Sequence, residues 1–388
     1  MTAVAVESPA VALLSTAAIR ERCTNIANAV GAGRSRYFRL ARDRLDAAAD
    51  RVATVTRKRY PDLVIPYHSR WRHFEAGGVD RKAMLPASPH VHVDLAVVSV
   101  LLDAGAGPAW RYVERETDRR FTRSEGLGVA TFRAFAEGVF SAQRDPFRVD
   151  ASALQVIDAA RLAAIFQVRS DNPLVGLETR AALLRRLGHA LEGRRPSVIF
   201  DSLTERAEEL RAGSILRALL DLLGPIWLTG SEIDGVPLGD TWRHPHAGGE
   251  GRTQGWVPFH KLSQWLAYSL FEPFEWAGIT VSARDDLTAL PEYRNGGLLL
   301  DTGVLELRND AEAVVAWDVG SELVVEWRAL TVALVDELAP LVRAKLGRSN
   351  LPLACILEGG TWAAGRELAL ELRNGDPPLA IKSDGTVF

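Results

Sequence analysis

Cysteine is scarce: Cys23 and Cys355 are the two in 388 residues, and they sit near opposite ends of the sequence. Thiols so placed build neither a disulfide framework nor a thiolate metal cage, and they suit a reducing, cytoplasmic setting. Both are expected in the core. Long hydrophobic runs are missing as well. The longest, at 95–102 and 219–228, fall well short of the ~18 apolar residues that cross a bilayer. The start of the chain is apolar, yet it lacks a basic lead and carries Glu7 and Pro9, so residues 1–13 read as a loose lead-in and not as a signal peptide. An excess of one charge is absent too: 46 Lys and Arg face 49 Asp and Glu, for a net charge of -3. A duplex binder needs a basic stripe to release counterions, so no nucleic-acid partner is expected, and no membrane partner either.

What is present is globular composition, with 47% hydrophobic and 24% charged residues. Apolar residues recur three and four apart over Ile19 to Val30, Arg42 to Val55, Glu178 to Leu191, Glu205 to Leu223, His260 to Phe271 and Glu322 to Leu346, which predicts helices. Helix starts are expected at Asp150-Ala-Ser and at Thr361 after Gly359-Gly360. Glycine and proline place loops near 77–78, 105–108, 237–251, 296–297 and 375–378. Strand-like alternation is rare, apart from a possible hairpin within 228–257. With no internal repeat, the expectation is a mainly α protein, a compact multi-helix single domain over 14–388.

Several polar clusters stand out. PYHSRWRHFEAGG (66–78) packs His68, Arg70, Trp71, Arg72, His73 and Glu75 into one stretch. Arginine forks bind phosphate and aromatic faces cover a sugar or base, so it is either a recognition segment or a surface loop held by its own ion pairs. His90-Val-His92-Val-Asp94 alternates as a strand does and resembles the His-x-His start of metal-dependent amidohydrolases. That barrel needs eight strand–helix units, which the chain does not show, so an ordinary turn or strand is preferred. His244-Pro-His246 is equally unspecific. From Asp103 to Trp110, small residues allow either a close backbone approach or a helix C-cap. Arg123-Ser124-Glu125-Gly126 opens a helical pattern, with its hydroxyl and carboxylate as caps or as ligand contacts.

The densest chemistry is PEYRNGGLLLD (291–301), where Glu292, Tyr293, Arg294 and Asn295 precede an expected glycine turn. Breaking a C–N glycosidic bond builds positive charge at the anomeric carbon, which a carboxylate can oppose or whose attacking water it can activate. Glu292 is either that group or a capping acid paired with Arg294.

The motifs HSRWRHFEAGGVDR, VVSVLLDAGAGPAW, TRSEGLGVATF, PFHKLSQWLAYSL, LPEYRNGGLLLDTGVL, EGGTWAAGRE and SDGTVF resemble the uracil-catabolism protein four family across residues 14–388. A fainter likeness, over 97–341, is to the queuosine-salvage nucleotide N-glycosidases, helical relatives of DNA glycosylases. There Phe259-His260-Lys261 stands for Phe-Tyr-Lys, Glu292-Tyr293-Arg294 for Asp-Tyr-Arg, and Glu326-Trp327-Arg328 for Glu-x-Arg. The chain departs from that pattern with Tyr268 in place of a sugar-contacting aspartate and with Gly-Ala-Gly after Asp103.

The resemblances imply an N-glycosidase that releases urea from ribosylurea, as the 5-phosphate, a small ribosylated substrate. Glu292 would face the oxocarbenium ion or draw a proton from water, and His73 would protonate the leaving nitrogen. Asp103 or Asp301 would hold ribose hydroxyls, while Lys261 with Arg70, Arg294 or Arg328 would hold the phosphate. Trp71, Trp110, Arg123, Ser124, Glu125 and Tyr293 complete the expected binding set. No metal or organic cofactor is implied. The alternatives are a metal-dependent amidohydrolase using His90, His92 and Asp94, and a non-catalytic binder of a pathway intermediate. The oligomeric state is left open.

Overall fold

The computed structural model describes residues 8–205, 207–383 and 385. Helices dominate, as the periodicity predicts, and every β-sheet found among the described residues has two short strands. No helix among them is long and apolar enough to cross a membrane. The chain divides into two compact units, each assembled from separate stretches.

The first unit gathers the described residues up to His68, Thr229–Lys261 and Arg284–Lys382. Its centre is the Glu322–Leu346 helix, whose residues from Leu323 to Val335 are all buried. The amphipathic helices Thr16–Gly31 and Leu45–Arg59 pack on it. Ser15 starts the former by accepting the Ala18 N–H. Cys23 is buried there, and burial pushes its thiol up and leaves it inert. The Tyr293–Asp301 helix lies between the Glu322–Leu346 and Trp362–Arg373 helices.

Small residues make that last packing possible. A Cβ on Gly365 would lie 2.1 Å from the Arg294 carbonyl oxygen, and one on Gly296 would lie 2.7 Å from the Trp327 ring. Gly296-Gly297 is therefore part of a helix, not the expected loop. Gly359-Gly360 likewise falls inside a π-helical turn, Leu357–Thr361, that runs into the next helix, so Thr361 is not a helix start.

The anticipated hairpin region holds two small ones, Glu232–Ile233 with Val236–Pro237 and Thr241–Arg243 with Trp256–Pro258. The lead-in expectation is corrected over Pro9–Leu13. That segment is a 3-10 helix with Ala10 and Leu13 buried beside Ile233 and Leu238, because its apolar residues share one face. Residues 1–7, Arg206, Asp384 and 386–388 lie outside the described residues, and with them parts of the expected lead-in, of the Glu205 helix and of the SDGTVF motif.

The second unit comprises the described residues of Ser69–Leu228 and Leu262–Ala283, with Ser383 and Gly385. Its helices include Pro89–Leu101, Arg123–Ala136, Leu177–Ala190, Ala212–Leu223 and, from Leu262, Lys261–Trp276. The strand expected at His90–Asp94 is instead the first turn of the Pro89–Leu101 helix, with proline at the position that needs no N–H donor. The helix expected from Glu205 begins at Ala212, because Glu209–Arg211 forms a parallel pair with Thr280–Ser282.

Substituting Gly365→Ala forces apart two helices in backbone contact. It is expected to lower stability by about 1–3 kcal/mol, read as a lower urea midpoint with an unchanged slope. An unmoved midpoint would show that the helices have room to separate.

Candidate functional site

In the first unit the Tyr293–Asp301 helix begins at a fully specified corner. Glu292 is extended and half-buried, and its two carboxylate oxygens accept the N–H groups of Arg294 at 2.9 Å and Asn295 at 2.5 Å. It is thus the N-cap, one of the two roles considered for it, and the cap fixes the direction of its carboxylate. It makes no ion pair with the Arg294 guanidinium among the described residues.

Arg294 is only 6% exposed. Its guanidinium carbon lies 4.2 Å from the Trp362 ring centre and 5.0 Å from that of Tyr293. No carboxylate or other hydrogen-bond partner for that guanidinium occurs among the described residues. None of its nitrogens is among the fully enclosed atoms that lack a partner, so they keep access to solvent while the aromatic rings cover the guanidinium face, a contact worth about 0.5–1 kcal/mol. Beside it, the buried Asn295 donates to the Leu290 carbonyl at 3.1 Å and leaves its own Oδ1 without a partner. The corner therefore presents an oriented anion, a buried cation and a spare amide oxygen.

Other expected residues of this unit are committed elsewhere. Asp301 forms a two-pronged pair with Arg373 at 2.8 and 2.7 Å. It closes the helix that Glu292 opens, about 13 Å further along the axis, so it is a structural partner and not a sugar ligand beside Glu292. Arg328 is likewise corrected: both its Nη atoms bind Asp240, at 2.9 and 2.7 Å, and its guanidinium stacks 4.2 Å from Phe259. Asp240 also accepts the Lys261 N–H and the Trp242 indole N–H, which anchors Lys261 at the start of its helix. Glu326 is buried against Ser35 and, at 3.2 Å, His244. The sequence singled out neither Asp240 nor Trp362 as a site residue. Asp240 lies in the stretch 237–251 that its glycines and prolines mark as loop, and Trp362 follows the glycine pair of the EGGTWAAGRE motif.

In the second unit the expected residues Arg70, His73, Asp103 and Ser124 do meet. The fully buried Arg70 donates to Ser99 Oγ at 2.7 Å, to Asp103 Oδ1, and to the carbonyl and hydroxyl of Ser124 at 3.1 and 3.2 Å. His73 Nδ1 lies 3.4 Å from it and the Trp265 ring centre 5.5 Å. Burial pulls the Arg70 guanidinium below its ordinary value, opposed by Asp103. Ser124 donates to Asp103 at 2.6 Å and is not a helix cap. Arg123 holds a left-handed backbone, φ 53°, to start the helix, and Glu125 is half-buried one turn in.

Trp71 and Trp110 are corrected from ligand contacts to core. Each is 1% exposed, with its indole N–H bound to the Ser269 or Phe166 carbonyl. The amidohydrolase triad is corrected as well. On a helix, a spacing of two turns side chains to different faces. His90 pairs with Asp201 at 2.7 Å, His92 sits edge-on to Trp71 and Trp276, and Asp94 is bound by Arg195 and the Ser197 N–H. Among the described residues no group of three or more His, Cys, Asp or Glu is placed to hold a metal ion.

Comparison with known proteins adds a lineage. Residues 12–388 match the family described as "Protein of unknown function (DUF1688)". "Protein urg3" of Schizosaccharomyces pombe is 38% identical, over 97% of this chain and 98% of the relative. "Uracil catabolism protein 4" of Lachancea kluyveri is 34% identical, over 99% and 100%.

Burial works to raise the Asp240 carboxyl, but Arg328 beside it, the Lys261 N–H and the Trp242 indole together hold it below the ordinary aspartate value. A lowered folded value means stabilisation that is full above the unfolded value of ~3.9 and is lost as pH falls through the folded one. Asp240→Asn strands a buried guanidinium, so at neutral pH it is expected to cost about 3–5 kcal/mol. The gap to the parent protein should narrow once the pH drops below about 4. Urea melts across that range check it, and a gap that stays constant with pH would contradict the assignment.

Proposed function

The chain belongs to the DUF1688 family, and from that premise we propose that it acts in uracil catabolism as an N-glycosidase. It hydrolyses the ribosyl C–N bond of ribosylurea 5-phosphate. The bond between the anomeric carbon and the ureide nitrogen breaks, water supplies hydroxyl to the carbon and a proton to the nitrogen, and urea and ribose 5-phosphate leave.

The observation that carries this reading is the buried Arg294 guanidinium, which has aromatic faces around it and no carboxylate, next to the oriented acid Glu292. A cation held between aromatic faces, with nitrogens still open to an incoming ligand, is suited to a substrate phosphate. Carboxylate oxygens each have two lone-pair sites, so the two backbone N–H groups do not exhaust Glu292. A carboxylate held in one direction opposes an oxocarbenium ion without reorganising as charge develops. The name of the Lachancea kluyveri relative supports the pathway. The ureide substrate follows from the chemistry that a ring-opened, ribosylated pyrimidine must undergo to yield urea.

The test is purified protein with synthetic ribosylurea 5-phosphate and a urea-coupled assay. Glu292→Gln keeps an oxygen for the cap but removes the charge. Because its amide nitrogen cannot accept the second N–H, it is expected to cost about 0.5–2 kcal/mol of stability, while kcat at a temperature well below the melting point falls by about 10²–10³-fold. Arg294→Gln should raise KM for the phosphorylated substrate far more than for ribosylurea. Saturable binding without urea release would leave a non-catalytic binder, and turnover that survives Glu292→Gln would remove the acid from the mechanism.

A further inference from the structure

The second unit contains a cleft of about 300 Å³ that neither the Arg70 cluster nor the Arg294 corner uses. Its walls come from the Arg111–Glu114 strand and the turn after it, the Arg123–Ala136 helix, the loop that follows, and the Ala159–Ile165 helix. The lining includes Arg115, Arg133, Arg144 and Arg161 together with Glu116 and Glu137, and Arg133 Nε lies 3.5 Å from Glu116. We propose that this cleft is a binding site for a small phosphate monoester.

The cations divide into a fixed wall and an open pair. Arg133 is tied to the buried Glu114 at 2.6 Å, and Glu114 in turn takes both prongs of Arg81 at 2.8 and 2.5 Å. Burial works to raise Glu114, but Arg81, Thr117 and Arg133 hold its carboxyl down at about 2. That wall is therefore rigid and already partly neutralised. Arg161 uses one Nη on the Val139 carbonyl at 2.9 Å. Arg115 and Arg144, in contrast, have no hydrogen-bond or ion-pair partner among the described residues.

Arg144 is carried on a constrained turn. Its backbone is left-handed, φ 62°, and its carbonyl lies so close to Gly138 that a Cβ there would come within 2.3 Å. Asp150 accepts from Ser141 Oγ and Ala142 N–H and closes the same loop. The backbone that carries this cation is set by the fold, and its exposed side chain extends from that fixed point.

Tyr112 adds a donor. It is 7% exposed and lines the cleft. Burial first, then Glu116, Glu114 and Glu137, push its phenol up to about 12, so the hydroxyl keeps its proton at neutral pH. Two unpaired guanidiniums and a protonated phenol are the donors that a tetrahedral dianion requires. Glu116 and Glu137 suit hydroxyl groups on the ester body and repel a polyanion. At ~30 Å³ per water, inorganic phosphate would leave most of the space to solvent, so a monoester with a small polyol body fits better.

Isothermal calorimetry on the full chain at fixed ionic strength tests this, with glycerol 3-phosphate, inorganic phosphate and glycerol as probes. The expected result is saturable binding of glycerol 3-phosphate, weaker binding of phosphate and none of glycerol. Arg115→Gln with Arg144→Gln, both exposed, should weaken that equivalent of binding at least tenfold without changing the melting temperature of the free protein; Tyr112→Phe should weaken it less. Arg294→Gln, in the other unit, should leave it intact. No saturable binding, equal affinity for phosphate and monoester, or binding lost in Arg294→Gln but kept in the double variant would each overturn the proposal.

Discussion

The Tyr293–Asp301 and Trp362–Arg373 helices touch backbone to backbone at Gly365, where any side chain would strike the Arg294 carbonyl. The rest of the candidate corner depends on that contact. It sets the Trp362 indole over the Arg294 guanidinium and keeps the first turn where Glu292 can cap it. Gly296 plays the same part on the other side, against Trp327 and Thr331 of the central helix. Gly296, which reads as part of a loop, and Gly365 are here what lets three helices close around a cation, and the absence of room for a Cβ at either position leaves little freedom in how they do so.

Arginine is the chain's chief polar instrument, and its neighbours decide its use. Arg328 with Asp240, Arg373 with Asp301, Arg81 with Glu114 and Arg70 with Asp103 are buried or half-buried pairs in which the carboxylate answers the cost of removing the cation from water. Such pairs specify geometry more than they add stability. Arg294, Arg115 and Arg144 have no such answer among the described residues, and the first is buried. The same residue type thus builds scaffold where an acid is supplied and keeps its donors open where one is withheld.

The helices were legible because their signal is local. The apolar period over 322–346 marks the same helix that folds, and the Ile19 and Arg42 patterns lie within a few residues of theirs. The family motifs were legible too, and the full-length match to Uracil catabolism protein 4 agrees with them. Partner choice was not legible. Asp301 finds Arg373 72 residues away, and Arg328 finds Asp240 88 residues away, distances at which no spacing rule operates. His90-Val-His92-Val-Asp94 misled for a related reason: alternation over five residues fits a strand, but Pro89 and the apolar run to Leu101 make it the start of a helix. Arg70, Asp103 and Ser124 were singled out from separate motifs, and the fold brings them together.

Capping and catalysis are not competing descriptions of Glu292. A side chain that bonds the first free N–H groups of a helix loses rotational freedom, and a carboxylate that must meet developing positive charge gains from having lost it beforehand. The cap occupies one edge of the carboxylate and leaves its remaining lone pairs to whatever approaches the half-buried corner. Serine or threonine at this place would offer one oxygen to the helix, where Glu292 answers two N–H groups with two. Glutamate reaches farther from the backbone than those residues, and under the proposed function that reach would carry its charge toward a sugar bound beside Arg294.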